Sequence, residues 1–385
     1  MKVVFCSNFL NHHQLRFCQK MTELCDFTFI AEKPSEQLRL DMGWQDMNSL
    51  YPFVHRAYEN DECFDKAISL CNKADIVIAG DSSQKFIQDR IKQKKIIFYA
   101  DERLIKAESL YRKLRAIARY IIKIKKAQKK QYKNPNAYLL AYGAFVKKDY
   151  YRQLGFRGTT FKLGYFPFVE KQTLEYLLEQ KKSEKIEVLF AGRLIDWKRC
   201  DLAIKTVEKV RQQYKNIRFS IIGNGNENVA YYKKLTDYVK NKKLESHIVF
   251  LGIKKPSEVI EQMQKSHIFL FPSNSCEGWG CVLNEAMASA CACLASDKIG
   301  SVPFLLKSGI NGFVFKNKCK NDFYIKFLQL LDNERLRQEM SANAYNTIYN
   351  EQNADIAAER LVEVFKAVLN NKPLDVFSDG IASIQ

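Results

Sequence analysis

The sequence predicts an α/β protein of two Rossmann-like domains, each a parallel sheet with helices on its faces, facing a central cleft. Three observations carry that reading. Short apolar runs alternate with longer amphipathic ones along the chain. A charged stretch, Glu170 to Lys185, separates two such series. The chain has 385 residues, 46% of them hydrophobic, enough to bury two cores. Strands alternating with helices need crossover connections, and these produce parallel sheets.

The first series places strands at Lys2–Cys6, Phe27–Ala31, Asp75–Ala79, Lys95–Ala100 and Ala137–Ala141. A helical pattern runs over His12–Leu24, with Asn11 as its N-cap. The second series places strands at Glu187–Ala191, Arg218–Gly223, Ile248–Gly252, Ile268–Pro272, Ala292–Ser296 and Gly312–Phe315. Domains are therefore expected at 1–168 and 185–352, joined by a linker with a short helix at 169–184. Residues 353–385 are read as a last helix plus a tail, PLDVFSDGIASIQ, expected to be weakly ordered.

Bulk properties narrow the function classes. The composition is not that of a disordered chain, and no run reaches the roughly 18 apolar residues of a spanning helix. The opening MKVVFCSNFL reads as a first strand and not as a secretory signal, so a cytoplasmic location is expected. The 11 cysteines include no CxxC pair, which points to reduced, buried thiols, and Cys291 and Cys293 have no second pair to complete a zinc site.

A net charge of +18 calls for an anionic partner. Between Ser109 and Lys148 there is no Asp or Glu at all. The segment 111–133 interleaves Arg112, Arg115, Lys125, Lys126, Lys129 and Lys130 with Leu114, Ile117, Ile121 and Ile124. A basic helix with an apolar face suits an anionic membrane surface. Nucleic acid needs the same charge, but no nucleic-acid module is recognisable.

Ligands of parallel sheets bind beyond the carboxyl ends of the strands, so those loops are the candidate sites. The second series offers GRLIDWKRC, where Gly192 precedes two cations, Arg193 and Lys198, five residues apart across a strand-to-helix turn. Such a pair suits a diphosphate. Gly223 and Gly225 bracket Asn224 in a tight turn, which fits a phosphate- or base-facing loop as well as a plain turn. Next comes EGWGCVLNEAMA, in which Glu277 lies on the loop and a helix opens near Gly280. The amides of Gly280, Cys281 and Val282 suit an anion. Glu277 is placed to accept hydrogen bonds from sugar hydroxyls, and Glu285, about a turn and a half along the helix, to bind a ribose diol. In the first series, Asn8, Asn11, His12, His13 and Gln14 surround the first strand end. These suit hydroxyl or phosphate recognition, with a histidine as base for an acceptor hydroxyl.

Taken together, Glu277-x7-Glu285 with EGWG, the upstream GR-L-x-x-W-K-R, the IIGNG turn and the trailing GSVPFLLKSGINGFVF resemble the donor-binding half of a GT-B glycosyltransferase of retaining family 4, the group that includes capsule and lipopolysaccharide enzymes. The resemblance covers about Lys185 to Ile348. It implies a nucleotide-diphospho-sugar donor, transfer with retained anomeric configuration, and neither metal nor other cofactor. It assigns Arg193 and Lys198 to the diphosphate, Gly280–Val282 to the distal phosphate, Glu277 to the transferred sugar and Glu285 to the ribose. It also implies an acceptor domain at 1–168, with the last helix crossing back to it. The acceptor would be a saccharide or a lipid-linked precursor of a surface polysaccharide, met at the inner membrane face. The first half departs from the family. SNFLNHHQ replaces the glycine-rich loop after strand one, and YADERLIK occupies a position where many members carry a histidine. The polar role there passes to Glu102, to His13, or to neither. Two other readings compete: a sugar-nucleotide epimerase on the same scaffold, and a basic nucleic-acid-binding protein.

Overall fold

The computed structural model describes residues 1–36, 45–107 and 134–385. The basic segment 111–133 lies outside the described residues. The chain forms two compact units, one of Met1–Phe168 with Gln352–Gln385 and one of Val169–Glu351.

The first unit holds a parallel sheet in the order β3-β2-β1-β4-β5-β6-β7. Its strands are β1 (Lys2–Ser7), β2 (Asp26–Ala31), β3 (Val54–Arg56), β4 (Ile76–Ala79), β5 (Ile97–Asp101), β6 (Ala137–Tyr142) and β7 (Thr160–Leu163). Alternate residues of one strand serve opposite faces. Val3, Phe5, Phe29 and Phe98 join one apolar core, and Val4, Cys6, Ile30 and Tyr99 join the other. Both faces are therefore covered, as parallel sheets require. The two strands that the sequence pattern passes over, β3 and β7, span only Val54–Arg56 and Thr160–Leu163, too short to show a period.

Helix Ala354–Leu369 packs against the first unit's sheet through Ala357, Leu361, Val364 and Phe365. The Phe365 ring meets Phe98 at 4.8 Å. Arg16 donates from both Nε and Nη2 to the Asp355 carboxylate at 2.7 Å, a fork that ties this helix to Leu15–Leu24. The helix Leu15–Leu24 begins three residues later than the pattern suggests. Asn11 Oδ1 accepts the His13 N–H at 3.0 Å and closes a separate turn ahead of it.

The tail corrects an expectation, because it is docked. Ala382 N–H donates to Lys162 O at 2.8 Å, Lys162 N–H to Ser383 O at 2.9 Å, and Gln385 N–H to Thr160 O at 2.8 Å. Ile381 and Ala382 are buried. The open edge of β7 offers unpaired backbone groups, and the tail takes them up as an antiparallel partner.

The second unit holds a parallel sheet in the order β10-β9-β8-β11-β12-β13. These strands are β8 (Ile186–Ala191), β9 (Ile217–Ile222), β10 (Ile248–Gly252), β11 (Ile268–Phe271), β12 (Ala292–Ser296) and β13 (Phe313–Phe315). Residues 169–184, read from sequence as a linker, are built into this unit. Thr173 Oγ1 caps helix Leu174–Gln180 by accepting the Tyr176 N–H at 3.2 Å, and Leu177 packs on Ala290 and Tyr345. Lys181 then buries its ammonium against the carbonyls of Met263, Gln264 and Ser266, at 3.1, 2.8 and 2.8 Å. Those carbonyls end helix Pro256–Lys265, where the helix dipole favours a cation.

No described helix is long and apolar enough to cross a membrane.

Candidate active site

In an open parallel sheet, the ligand crevice lies where the strand order reverses. In the second unit that switch falls between β8 and β11. The loops after those two strands carry the predicted residues. Lys198 closes the short 3₁₀ turn Asp196–Lys198 after β8, and Glu277 lies on the loop after β11. Their side chains meet: Lys198 Nζ donates to Glu277 Oε2 at 2.6 Å, and both residues are buried. Asn274 fixes the approach of the two loops, because its N–H donates to Trp197 O at 3.0 Å and its carbonyl accepts the Glu277 N–H at 3.1 Å.

Trp197 is a site residue that spacing did not suggest. Lys198 Nζ lies 4.8 Å and Arg193 Cζ 5.5 Å from its ring, so one indole carries both cations. Arg193 Nη1 also donates to both carboxylate oxygens of Glu227, at 2.9 and 2.8 Å. The signal for Trp197 in the sequence was its place in the GR-L-x-x-W-K-R run, which gave it no role of its own. For Glu227 there was only its place in the NGNEN turn.

Gly223 adopts φ +139°, and a Cβ there would lie 1.9 Å from Gly192 O, so the ends of β8 and β9 touch backbone to backbone. Asn224 contributes its carbonyl, which accepts the Leu194 N–H at 2.8 Å. These contacts set the loop that presents Arg193. Gly280, at φ +85°, lets the EGWG loop cross the Phe271 ring, where a Cβ would meet ring carbon at 2.7 Å. Cys281 is the N-cap of helix Val282–Ala288, and Leu283 N–H donates back to Gly280 O at 3.0 Å. Trp279 is buried and donates from Nε1 to Asn284 Oδ1 at 2.9 Å, so this indole serves packing. Gly300 N–H and Ser301 N–H pair with Gly278 O and Trp279 O, at 2.9 and 3.2 Å, and bind the next loop to this one. Ser296 and Ser301 are buried there and shape the loop from beneath.

Glu285 is half-buried on the helix, and desolvation pushes its carboxyl up to about 7. Among the described residues no hydrogen bond or ion pair engages that carboxyl.

In the first unit the switch falls between β1 and β4. His13 lies on the loop after β1, its ring 3.6 Å from that of His12 and 5.7 Å from Tyr165. Its carbonyl accepts the Phe166 N–H at 3.0 Å. Glu102 follows β5, on the far side of β4, and its carboxylate is held by Lys106. The sheet order thus puts His13, and not Glu102, at the reversal.

Comparison with known proteins agrees with this architecture. The two parallel sheets and their connections are the GT-B fold. HepE of Anabaena, crystallised in complex with UDP, superimposes with a TM-score of 0.68 over 95% of this chain and 100% of its own, at 13% identity. Residues 175–347 match the family model for glycosyl transferases group 1. The second unit thus carries a domain that matches the group 1 glycosyl transferases. An uncharacterized glycosyltransferase of Methanocaldococcus jannaschii is 32% identical over 40% of this chain and 41% of its own length. The poly(ribitol-phosphate) alpha-N-acetylglucosaminyltransferase of Staphylococcus aureus is 27% identical over 48% of this chain and 36% of its own. The matches thus span about two-fifths of these relatives' lengths.

Proposed function

We propose that this protein is a retaining glycosyltransferase that moves a sugar from a nucleotide-diphospho-sugar to a saccharide or lipid-linked acceptor in surface polysaccharide assembly. The observation that carries the reading is the buried Lys198–Glu277 pair at the β8/β11 switch point of a group 1 domain. Burying an acid and a base together is costly unless their geometry is used. A donor site uses both. Lys198 and Arg193 stabilise the diphosphate as it departs, the electrostatic work that a metal does in other transferases. Glu277, oriented by Lys198, accepts hydrogen bonds from the hydroxyls of the sugar being transferred. Gly280, Cys281 and Val282 lie by the distal phosphate, Gly223 and Asn224 shape the loop beside the nucleotide, and Glu285 takes the ribose diol. No covalent enzyme intermediate is invoked: the acceptor attacks from the face the leaving group vacates.

We assign acceptor recognition to the first unit, with His13 as the candidate base and Glu102 as the alternative. The basic segment 111–133 supports docking on an anionic membrane surface, where a lipid-linked acceptor would be met.

The test is binding and turnover of UDP-, GDP- and ADP-sugars without added metal, by calorimetry and product analysis. The UDP complex of HepE is the reason to begin with uridine. Selective binding of one donor, lost in Lys198→Ala and Glu277→Ala, is the expected result. Release of free nucleotide with an epimerised sugar and no acceptor would replace this reading with an epimerase. Affinity for nucleic acid with none for any donor would end it.

A further inference from the structure

Arg193, the outer of the two cations, is already occupied by an anion of the protein's own. Its Nη1 is shared by both carboxylate oxygens of Glu227, at 2.9 and 2.8 Å, and its guanidinium lies 5.5 Å from the Trp197 ring. Among the described residues no hydrogen bond engages its Nη2 or Nε. The Glu227 carboxylate is not a stray surface acid. Its loop is closed by Asn226 N–H to Asn224 Oδ1 at 3.3 Å and by Asn228 N–H to Gly225 O at 2.9 Å. Gly225 is pressed so closely on Tyr232 that a Cβ there would lie 2.1 Å from that side chain. The carboxylate is thus presented to Arg193 by a braced turn.

We infer that Glu227 is an affinity-setting residue: it pairs with the Arg193 guanidinium and opposes the donor's diphosphate. The inference rests on the donor site proposed above. The Arg193 and Glu227 side chains are 53% and 54% exposed, so their pair is cheap to open. A diphosphate carries more charge than a carboxylate and makes more hydrogen bonds, and it displaces Glu227 or binds the free edge of the same guanidinium. In either case two anions meet at one cation, and the carboxylate charge weakens the ligand. Trp197 keeps the guanidinium in place through the exchange, because the ring attracts it whichever anion is bound. A nucleotide product carries the same diphosphate, so Glu227 also speeds its departure.

The test is calorimetry of UDP and GDP, each against its monophosphate and its nucleoside, on the native protein and on Glu227→Gln, Glu227→Ala and Arg193→Ala. Both Glu227 variants are expected to bind the diphosphate about three- to tenfold more tightly, the monophosphate less so, and the nucleoside unchanged. The gain is expected to vanish in the Arg193→Ala background and to shrink in high salt. Unchanged or weaker diphosphate binding in Glu227→Gln overturns the inference while leaving the donor site standing. If the native protein binds no nucleoside diphosphate, the donor reading fails and this inference fails with it.

Discussion

Lys198 Nζ lies 2.6 Å from Glu277 Oε2, and the two side chains keep only 10% and 9% of their surface exposed. Removing one partner strands the other charge in a dry site. Lys198→Ala and Glu277→Ala are each expected to cost about 3 kcal/mol in urea unfolding. The double variant Lys198→Met with Glu277→Gln is expected to recover most of that loss. Transfer is expected to be absent in all three, which separates the pair's structural role from its chemical one. Full activity in any of them would remove the pair from the donor site.

Glu285 gives a pH dependence with a defined sign. Burial raises its carboxyl from 4.5 to about 7, so between those values the folded protein holds a proton that the unfolded chain has lost. The stability this contributes is complete below pH 4.5 and is lost as pH rises toward 7, by about 3 kcal/mol at most. A ribose diol donates to the carboxylate form, so nucleotide binding is expected to strengthen as pH passes through about 7. In Glu285→Gln both profiles are expected to flatten. Calorimetry and urea melts across pH 5–8 check both.

Arg90 supports the first unit through backbone carbonyls. Its guanidinium is buried and donates to the carbonyls of Cys71, Ala74, Asp75 and Ile96, at 2.7–3.0 Å. Arg90→Ala is expected to cost about 3–5 kcal/mol, because those carbonyls lose their donors. Arg90→Lys is expected to recover little, since a point charge cannot span four carbonyls spread around a planar fork. Thermal unfolding of the two variants decides it.

The docked tail predicts self-association on its removal. Truncation after Asn371 strips the partner from β7 and exposes a strand edge. Dimers or larger species are expected by light scattering, and a monodisperse truncated protein of unchanged size would contradict this.

Much of this was legible in the sequence. Apolar runs located most strands because a parallel strand is buried on both faces, and the loops following them carried Arg193, Lys198 and Glu277, with Glu285 on the helix that opens after the last of these loops. What escaped was information held in partners distant along the chain. The tail reads as loose because Pro, Asp, Ser and Gly break up its apolar residues and leave no period, while the reason for its order is the free edge of β7. Residues 169–184 read as a linker because most of their side chains face water, and only Leu177 and Lys181 reveal the packing. Nothing in local spacing joins Arg193 to Glu227, 34 residues away. Trp197 shows its role only when both cations are seen against one ring.

The return of helix Ala354–Leu369 to the first sheet has a consequence for synthesis. The unit whose coding begins first is finished last. The sheet face lined by Phe5, Phe29 and Phe98 has only helix Leu15–Leu24 of its two core helices while all of Val169–Glu351 is made, a unit closed within one continuous stretch. The middle of the chain can therefore mature before its beginning does. During that interval the nascent first unit is the part with unburied apolar surface, and a ribosome stalled before residue 354 leaves its core incomplete.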